Sequence, residues 1–133
     1  MRQVFGDTSF YVSFLNPADA LHEAAVMWSR QAPLHVVVTE FVIVELGNFL
    51  AKGPQRGLLP GLVQYLRNNP HTTVLPLTTP LLDAGLDLYA RRPDKTWSLV
   101  DCISFVVMKD QGLTEALTAD HHFEQAGFTI LLK

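Results

Sequence analysis

The sequence is poor in several things. It holds one cysteine, Cys102, so no disulfide can form within the chain, and the residue reads as a buried thiol on a helix. Charged residues make up only 17% and hydrophobic residues 48%, a balance that excludes intrinsic disorder and supplies one sizeable core. Basic charge is in deficit, with 10 Lys and Arg against 13 Asp and Glu and a net charge of −3; taken alone this argues against nucleic-acid binding, for which a basic surface is expected. No apolar run reaches the roughly 18 residues of a membrane span, so no membrane partner is expected. The opening MRQVFGDTSFYVSFLNP lacks a basic cluster and a small-residue cleavage site, and Asp7 interrupts its apolar part, so it does not read as a signal peptide. With the lone cysteine, this leads us to expect a cytoplasmic protein. There is no low-complexity tract and no solenoid repeat, and residues 1–133 are expected to form a single domain.

Strand and helix signals alternate along the chain. RQVFG (2–6), LHVVVT (34–39), TTVLPL (72–77), EALTA (115–119) and FTILL (128–132) read as short buried strands. NPAD (16–19) reads as a helix start, with Asn16 as N-cap and Pro17 at the first helical position, opening a helix to about Arg30. Further helices are expected over 40–52, 58–69, 79–92 (capped by Thr79) and 98–112, the last closed by Gly112. Short buried strands separated by helices predict an α/β fold, a three-layer α/β/α sandwich around a five-stranded, mostly parallel sheet. In such sheets ligands bind beyond the carboxyl ends of the strands.

One stretch poses the functional question. WSLVDCISFVV (97–107) carries a single charge, Asp101, among apolar residues, and a carboxylate so placed needs a partner, a hydrogen bond or a metal. Asp7 ends the first strand and Asp120 follows the fourth, so both fall at the carboxyl edge of a parallel sheet. Glu45 sits on the apolar helix after the second strand. The helix of Asp101 leads into the fourth strand, so its amino end reaches the same edge. Each acid also has a plainer reading: Asp101 as the third residue of a capping box with Ser98, Asp7 as a turn residue, Asp120 as a helix N-cap, Glu45 as a solvated or ion-paired residue. A cap contributes about 1 kcal/mol, whereas two carboxylates about 4 Å apart repel by roughly 4 kcal/mol at an effective dielectric of 20. Four together require a cation. Oxygen ligands suit Mg²⁺ or Mn²⁺, and one or two such ions are the machinery for cutting a phosphodiester. With these four acids set aside, 9 acidic side chains face 10 basic ones, which softens the charge objection. Lys52, Arg56, Arg91, Arg92 and Lys95 read as phosphate contacts or as solvated loop residues.

The stretches DTSFYVSFLN, TEFVIVELGN and KTWSLVDCISFVVMKDQGLTEALTADHHFEQAGF (95–128) resemble the PIN-domain nucleases, and within them the VapC-type toxins of toxin–antitoxin pairs. The resemblance covers the chain in element order, although 53–80 carries no diagnostic residue. It implies a Mg²⁺- or Mn²⁺-dependent endoribonuclease with Asp7, Glu45, Asp101 and Asp120 as catalytic and metal-binding acids. It implies RNA as substrate, 5′-phosphate and 3′-hydroxyl products, a small antitoxin protein as partner, and a homodimer. Ser9, Thr39 and Thr118 match positions where the family often has a hydroxyl; they read either as groups that orient a carboxylate or a metal-bound water or as simple turn and capping residues, and Asn48 is a similar candidate one turn beyond Glu45. Apolar Trp28, Phe49, Leu58 and Leu62 belong either to the core or to a dimer or antitoxin surface. His121-His122 suggests zinc, but neither a Cys-x-x-Cys nor a His-Glu-x-x-His spacing accompanies it. A haloacid-dehalogenase phosphatase would need a second Asp where Ser9 stands, and a phospho-receiver domain an acid after the third strand. A housekeeping RNA-processing nuclease and a catalytically silent RNA- or protein-binding module remain alternatives; small size and the lack of an added domain favour the toxin.

Overall fold

The computed structural model describes residues 1–133. Five short strands, β1 (Arg2–Gly6), β2 (Leu34–Thr39), β3 (Thr72–Leu75), β4 (Glu115–Leu117) and β5 (Thr129–Ile130), form one sheet in the order β3-β2-β1-β4-β5. Every pairing is parallel, with Val4 opposite Val36, Val38 opposite Val74, Phe5 opposite Ala116, and Ala116 opposite Ile130. The connections carry α1 (Thr8–Leu15), α2 (His22–Ser29), α3 (Glu40–Leu50), α4 (Leu59–Asn68), α5 (Thr79–Arg91), α6 (Leu99–Asp110) and α7 (His121–Gln125). Right-handed crossovers put α1 to α4 on one face and α5 to α7 on the other, and the helix contacts fall into those two sets, with α3 also touching α6. This is the three-layer sandwich expected from the strand pattern. Strand order reverses between β1 and β4, so the crevice beyond their carboxyl ends is the switch point where such sheets bind ligands.

The core lies on both faces of the sheet. Phe5, Leu46, Ile103, Met108, Leu117 and Phe123 are fully buried. Phe105 packs edge-on against both Phe123 and Trp97, with ring centres 4.9 and 5.0 Å apart. Cys102 is buried and unpaired, as expected. No helix is long and apolar enough to cross a membrane. Of the four apolar residues with two readings, Leu62 belongs to the core, Trp28 is half-buried beneath the Arg2 guanidinium, and Phe49 and Leu58 are exposed.

Of the helix expected to run from NPAD to about Arg30, the second half is present as α2, ending at Ser29, but NPAD does not start it. TSFYVSFL forms α1 directly after Asp7, burying Phe10 and Tyr11, and a turn separates it from α2. The Asn16 and Asp19 side chains accept from the backbone N–H groups of Ala18 and Leu21, at 3.0 and 2.8 Å. These Asx turns offer the backbone an alternative to the helix that the same residues would otherwise start. Thr78, not Thr79, caps α5, accepting from the Leu81 N–H. Ser98 caps α6, and Gly112, at φ +69°, closes it while the Leu113 N–H reaches back to the Met108 carbonyl at 2.8 Å, a Schellman-type ending.

Gly85 fixes the approach of α5 to α6. A Cβ there would lie 2.3 Å from Ile103 Cγ1 and 3.3 Å from Ile103 Cα, and a β-branched helical side chain has little rotamer freedom with which to yield. Gly85→Ala therefore loses about 1–3 kcal/mol of stability by overpacking, against its helix-propensity gain of about 1 kcal/mol. Gly61→Ala in α4, where a Cβ meets nothing within 4 Å, is the control and is expected to be neutral or stabilising. Urea unfolding of both variants checks the opposite signs.

Candidate active site

At the carboxyl edge β1 ends in Gly6, and Asp7 continues in extended backbone as the N-cap of α1, with its N–H on the Leu117 carbonyl of β4 at 3.2 Å. Asp7 is 4% exposed. Its Oδ2 accepts from the Thr118 hydroxyl at 2.8 Å and from the Ser9 hydroxyl at 3.1 Å. Thr118 Oγ1 in turn accepts from the Asp120 N–H at 3.0 Å, and Ser9 Oγ from the Ala119 N–H at 3.3 Å. Two hydroxyls thus stitch the exits of β1 and β4 together.

Glu45 projects from α3 and accepts a hydrogen bond from the Thr8 hydroxyl. Asp101 sits in the first turn of α6, where its Oδ2 accepts from the Ser98 N–H at 3.2 Å and lies 3.1 Å from His122 Nδ1. Asp120 caps α7 through the His122 N–H at 2.9 Å. The capping readings of Asp101 and Asp120 are therefore realised in the structure, while Asp7 occupies an N-cap position without a side-chain capping bond. All four acids nonetheless line one cleft of about 780 Å³, with Ser9, Asn48, Phe49, Thr96 and His122 among its other walls.

The electrostatics of this cleft are unbalanced. The Lys and Arg ion pairs of the protein are Arg2–Glu115, Arg67–Glu40, Arg91–Asp87 and Arg92–Asp94, and none involves the four acids. Burial pushes the Asp7 carboxyl up to about 6, with the Asp101 charge adding to the rise and the Thr118 and Ser9 hydroxyls opposing it. Burial likewise raises Glu45, helped by the charges of Asp101 and Asp120 and opposed by Thr8. Asp101 is raised by burial and by Asp120, against the Ser98 N–H and His122. Carboxylates gathered at one partly buried cleft without a Lys or Arg partner are a hard oxygen donor set, which fits Mg²⁺ or Mn²⁺. Ligand atoms of Asp120, His121 and His122 lie within 4.8 Å of one another. His122 Nδ1 already faces Asp101 and Asp120, at 3.1 and 3.4 Å, and no cysteine joins it, so the set is not that of a structural zinc site.

Sequence reasoning missed several residues of the cleft, Thr8, Asp19 and Thr96 among them, and the part played by His122. Thr8 holds Glu45 across 37 residues and His122 holds Asp101 across 21. Asp19 also lines the cleft, accepting from the Ser13 hydroxyl and the Leu21 N–H. Thr39 does not belong with Ser9 and Thr118: it is fully buried and caps α3 by accepting from the Val42 N–H at 3.1 Å. Among the basic residues, Arg91 and Arg92 are paired with carboxylates on their own segments, and Arg56 donates to the Ala51 carbonyl.

Known proteins match this architecture. A model of the PIN domain matches residues 4–129. The 23S rRNA-specific endonuclease VapC20 of Mycobacterium tuberculosis is 28% identical over 128 residues, spanning 94% of this chain and 95% of that protein. The crystal structure of Mycobacterium tuberculosis VapC20, described as a sarcin–ricin loop cleaving toxin, superposes with a TM-score of 0.84 at 27% identity over 95% of this chain and 96% of the other. VapBC2 from Rickettsia felis, crystallised with a promoter DNA fragment, shares the fold at a TM-score of 0.66 and 10% identity, covering 96% of each chain. With the match running from β1 into β5, the chain belongs to the PIN-domain family.

Proposed function

We propose that this chain is a metal-dependent endoribonuclease and the toxin of a VapBC-type toxin–antitoxin pair, acting on structured RNA in the cytoplasm. The observation that carries the reading is the convergence of Asp7, Glu45, Asp101 and Asp120 from four separate segments on one cleft, with no Lys or Arg on any of them. In this reading the four carboxylates hold one or two Mg²⁺ or Mn²⁺ ions. A divalent ion bound there supplies Lewis-acid chemistry, acidifying water and offsetting charge on the phosphate. Thr118 and Ser9 hold Asp7, Thr8 holds Glu45, and His122 holds Asp101 against Asp120, so that each donor keeps its orientation when the cleft is filled. Similarity to an rRNA endonuclease across nearly the whole of both chains supports RNA as the substrate. The likeness to VapBC2 and the exposed Phe49 on the rim of the cleft support a protein partner there. A homodimer accords with the exposed Met27 and Tyr65 outside the cleft.

The test is incubation of the purified protein with ribosomal and messenger RNA. Cleavage is expected with Mg²⁺ or Mn²⁺, is expected to stop with EDTA, and should return when either ion is added back in excess. Each ion should also raise the melting temperature at pH 8 in the absence of RNA, because a ligand of the folded state alone stabilises it by mass action. Cleavage that persists in EDTA, or no cleavage of any RNA with either ion, overturns the reading.

A further inference from the structure

A second cavity of about 510 Å³ lies next to the acid cleft, and Thr96 is a wall of both. Its other walls include Tyr89 at the end of α5, and Arg92, Lys95 and Trp97 in the loop between α5 and α6. Trp97 is buried, anchored by its indole N–H on Gln125 Oε1 at 2.9 Å and by its edge contact with Phe105. The Arg92 guanidinium lies over the Trp97 ring, 5.0 Å from its centre. A two-pronged pair with Asp94, both bonds 3.0 Å, fixes the guanidinium plane. Arg92 therefore presents a rigid flat cation to the cavity, its side chain 39% exposed, although an ion pair at such exposure stabilises the protein little. Tyr89 is half exposed at 52%, and Lys95 forms no ion pair in the structure.

An oriented guanidinium plane, an exposed aromatic ring and a free ammonium group, in a cavity that shares the Thr96 wall with the cleft of the acids, are the features that recognise an unstacked RNA base and its phosphate. Resting on the nuclease reading above, we propose that this cavity is a base-binding subsite: a nucleobase displaced from its stack rests against Arg92 and Tyr89, Lys95 takes a neighbouring phosphate, and the strand passes over Thr96 toward the acids. The enzyme thereby prefers RNA with an unpaired nucleotide at a fixed distance from the cleaved bond, a loop or bulge rather than a continuous duplex.

The experiment separates binding from cutting. Fluorescence anisotropy in EDTA at low salt measures the affinity of the intact protein for a hairpin RNA and for a fully paired duplex of the same length. The wild type should favour the hairpin. Tyr89→Ala should weaken hairpin binding about tenfold, within the range of one base–aromatic stack, while Tyr89→Phe should restore it. Arg92→Lys keeps the charge but loses the plane and should also weaken binding, and Lys95→Gln should flatten the salt dependence by about one phosphate contact. 5-Iodouridine placed in the hairpin loop should crosslink to Tyr89, the exposed aromatic of the cavity. In cleavage assays the loss should fall on KM. Hairpin affinity unchanged in a folded Tyr89→Ala, equal affinity for hairpin and duplex, or loop crosslinks confined to other residues would each overturn the subsite. Cleavage by the same preparations is scored separately: a wild type that binds hairpins through Tyr89 but never cuts RNA sinks the nuclease reading and leaves the subsite standing.

Discussion

Asp7→Asn should abolish RNA cleavage and, in the same protein, raise the melting temperature measured in EDTA at pH 8. Both halves follow from the position of this carboxylate. Burial lifts it from 3.8 to about 6, so over that interval the folded state holds a proton that the unfolded chain has released. Stability therefore falls as pH rises through the window from about 4 to 6, and above it the native state carries the full penalty. A rise of about two pH units corresponds to about 3 kcal/mol at 1.36 kcal/mol per unit. Asparagine removes the charge and keeps an oxygen that can accept from Thr118 and Ser9. For a chain of this length the expected gain is on the order of 5–10 °C at pH 8, shrinking as pH falls through the window and vanishing only well below pH 4, where the unfolded chain is protonated at Asp7 as well. Loss of one acid from the proposed ion site removes several kcal/mol of transition-state stabilisation, on the order of 10³-fold in rate. Scanning calorimetry at two pH values and a cleavage time course check the pair. An Asp7→Asn protein that melts lower at pH 8, or that still cuts at the wild-type rate, removes Asp7 from the proposed role.

That a carboxylate should weaken the fold it belongs to also explains what could be read from the sequence. Asp7 and Asp120 were legible because a parallel sheet presents one chemical edge, and any acid directly after a strand must appear there. Asp101 and Glu45 stood out as charges on apolar helices, where burial is costly. The supporting contacts were not legible. Thr8 meets Glu45 across 37 residues and His122 meets Asp101 across 21, and no local pattern encodes which hydroxyl or imidazole will face which acid. The same limit left Thr39 open between a site hydroxyl and a cap, and its hydroxyl serves its own helix. The lost α1 has a different cause. TSFYVSFL is rich in aromatic and β-branched residues with weak helix propensity, so the strong local signal of NPAD outweighed it, and tertiary burial of Phe10 and Tyr11 decided the matter.

Asp101 is the residue for which the structural and the chemical readings coincide, and they can be separated. Its Oδ2 accepts from the Ser98 N–H while its own N–H donates to Ser98 Oγ at 3.0 Å, completing the capping box of α6. Asparagine can accept the same two contacts, from Ser98 and from His122. Asp101→Asn should therefore leave the cap intact and the protein as stable as the wild type or more so, since burial already disfavours the charge. Cleavage should nevertheless fall by on the order of 10²–10³-fold, the loss expected when a charged donor of the proposed ion site becomes neutral. Ser98→Ala does the reverse. It removes the acceptor of the Asp101 N–H, costs about 1 kcal/mol as lost N-caps do, and leaves cleavage within a few-fold because the Ser98 N–H and His122 still hold the carboxylate. If Asp101 were a cap alone, neither substitution would touch cleavage, and the ranking of the two variants by activity, set against their ranking by melting temperature, decides between the roles.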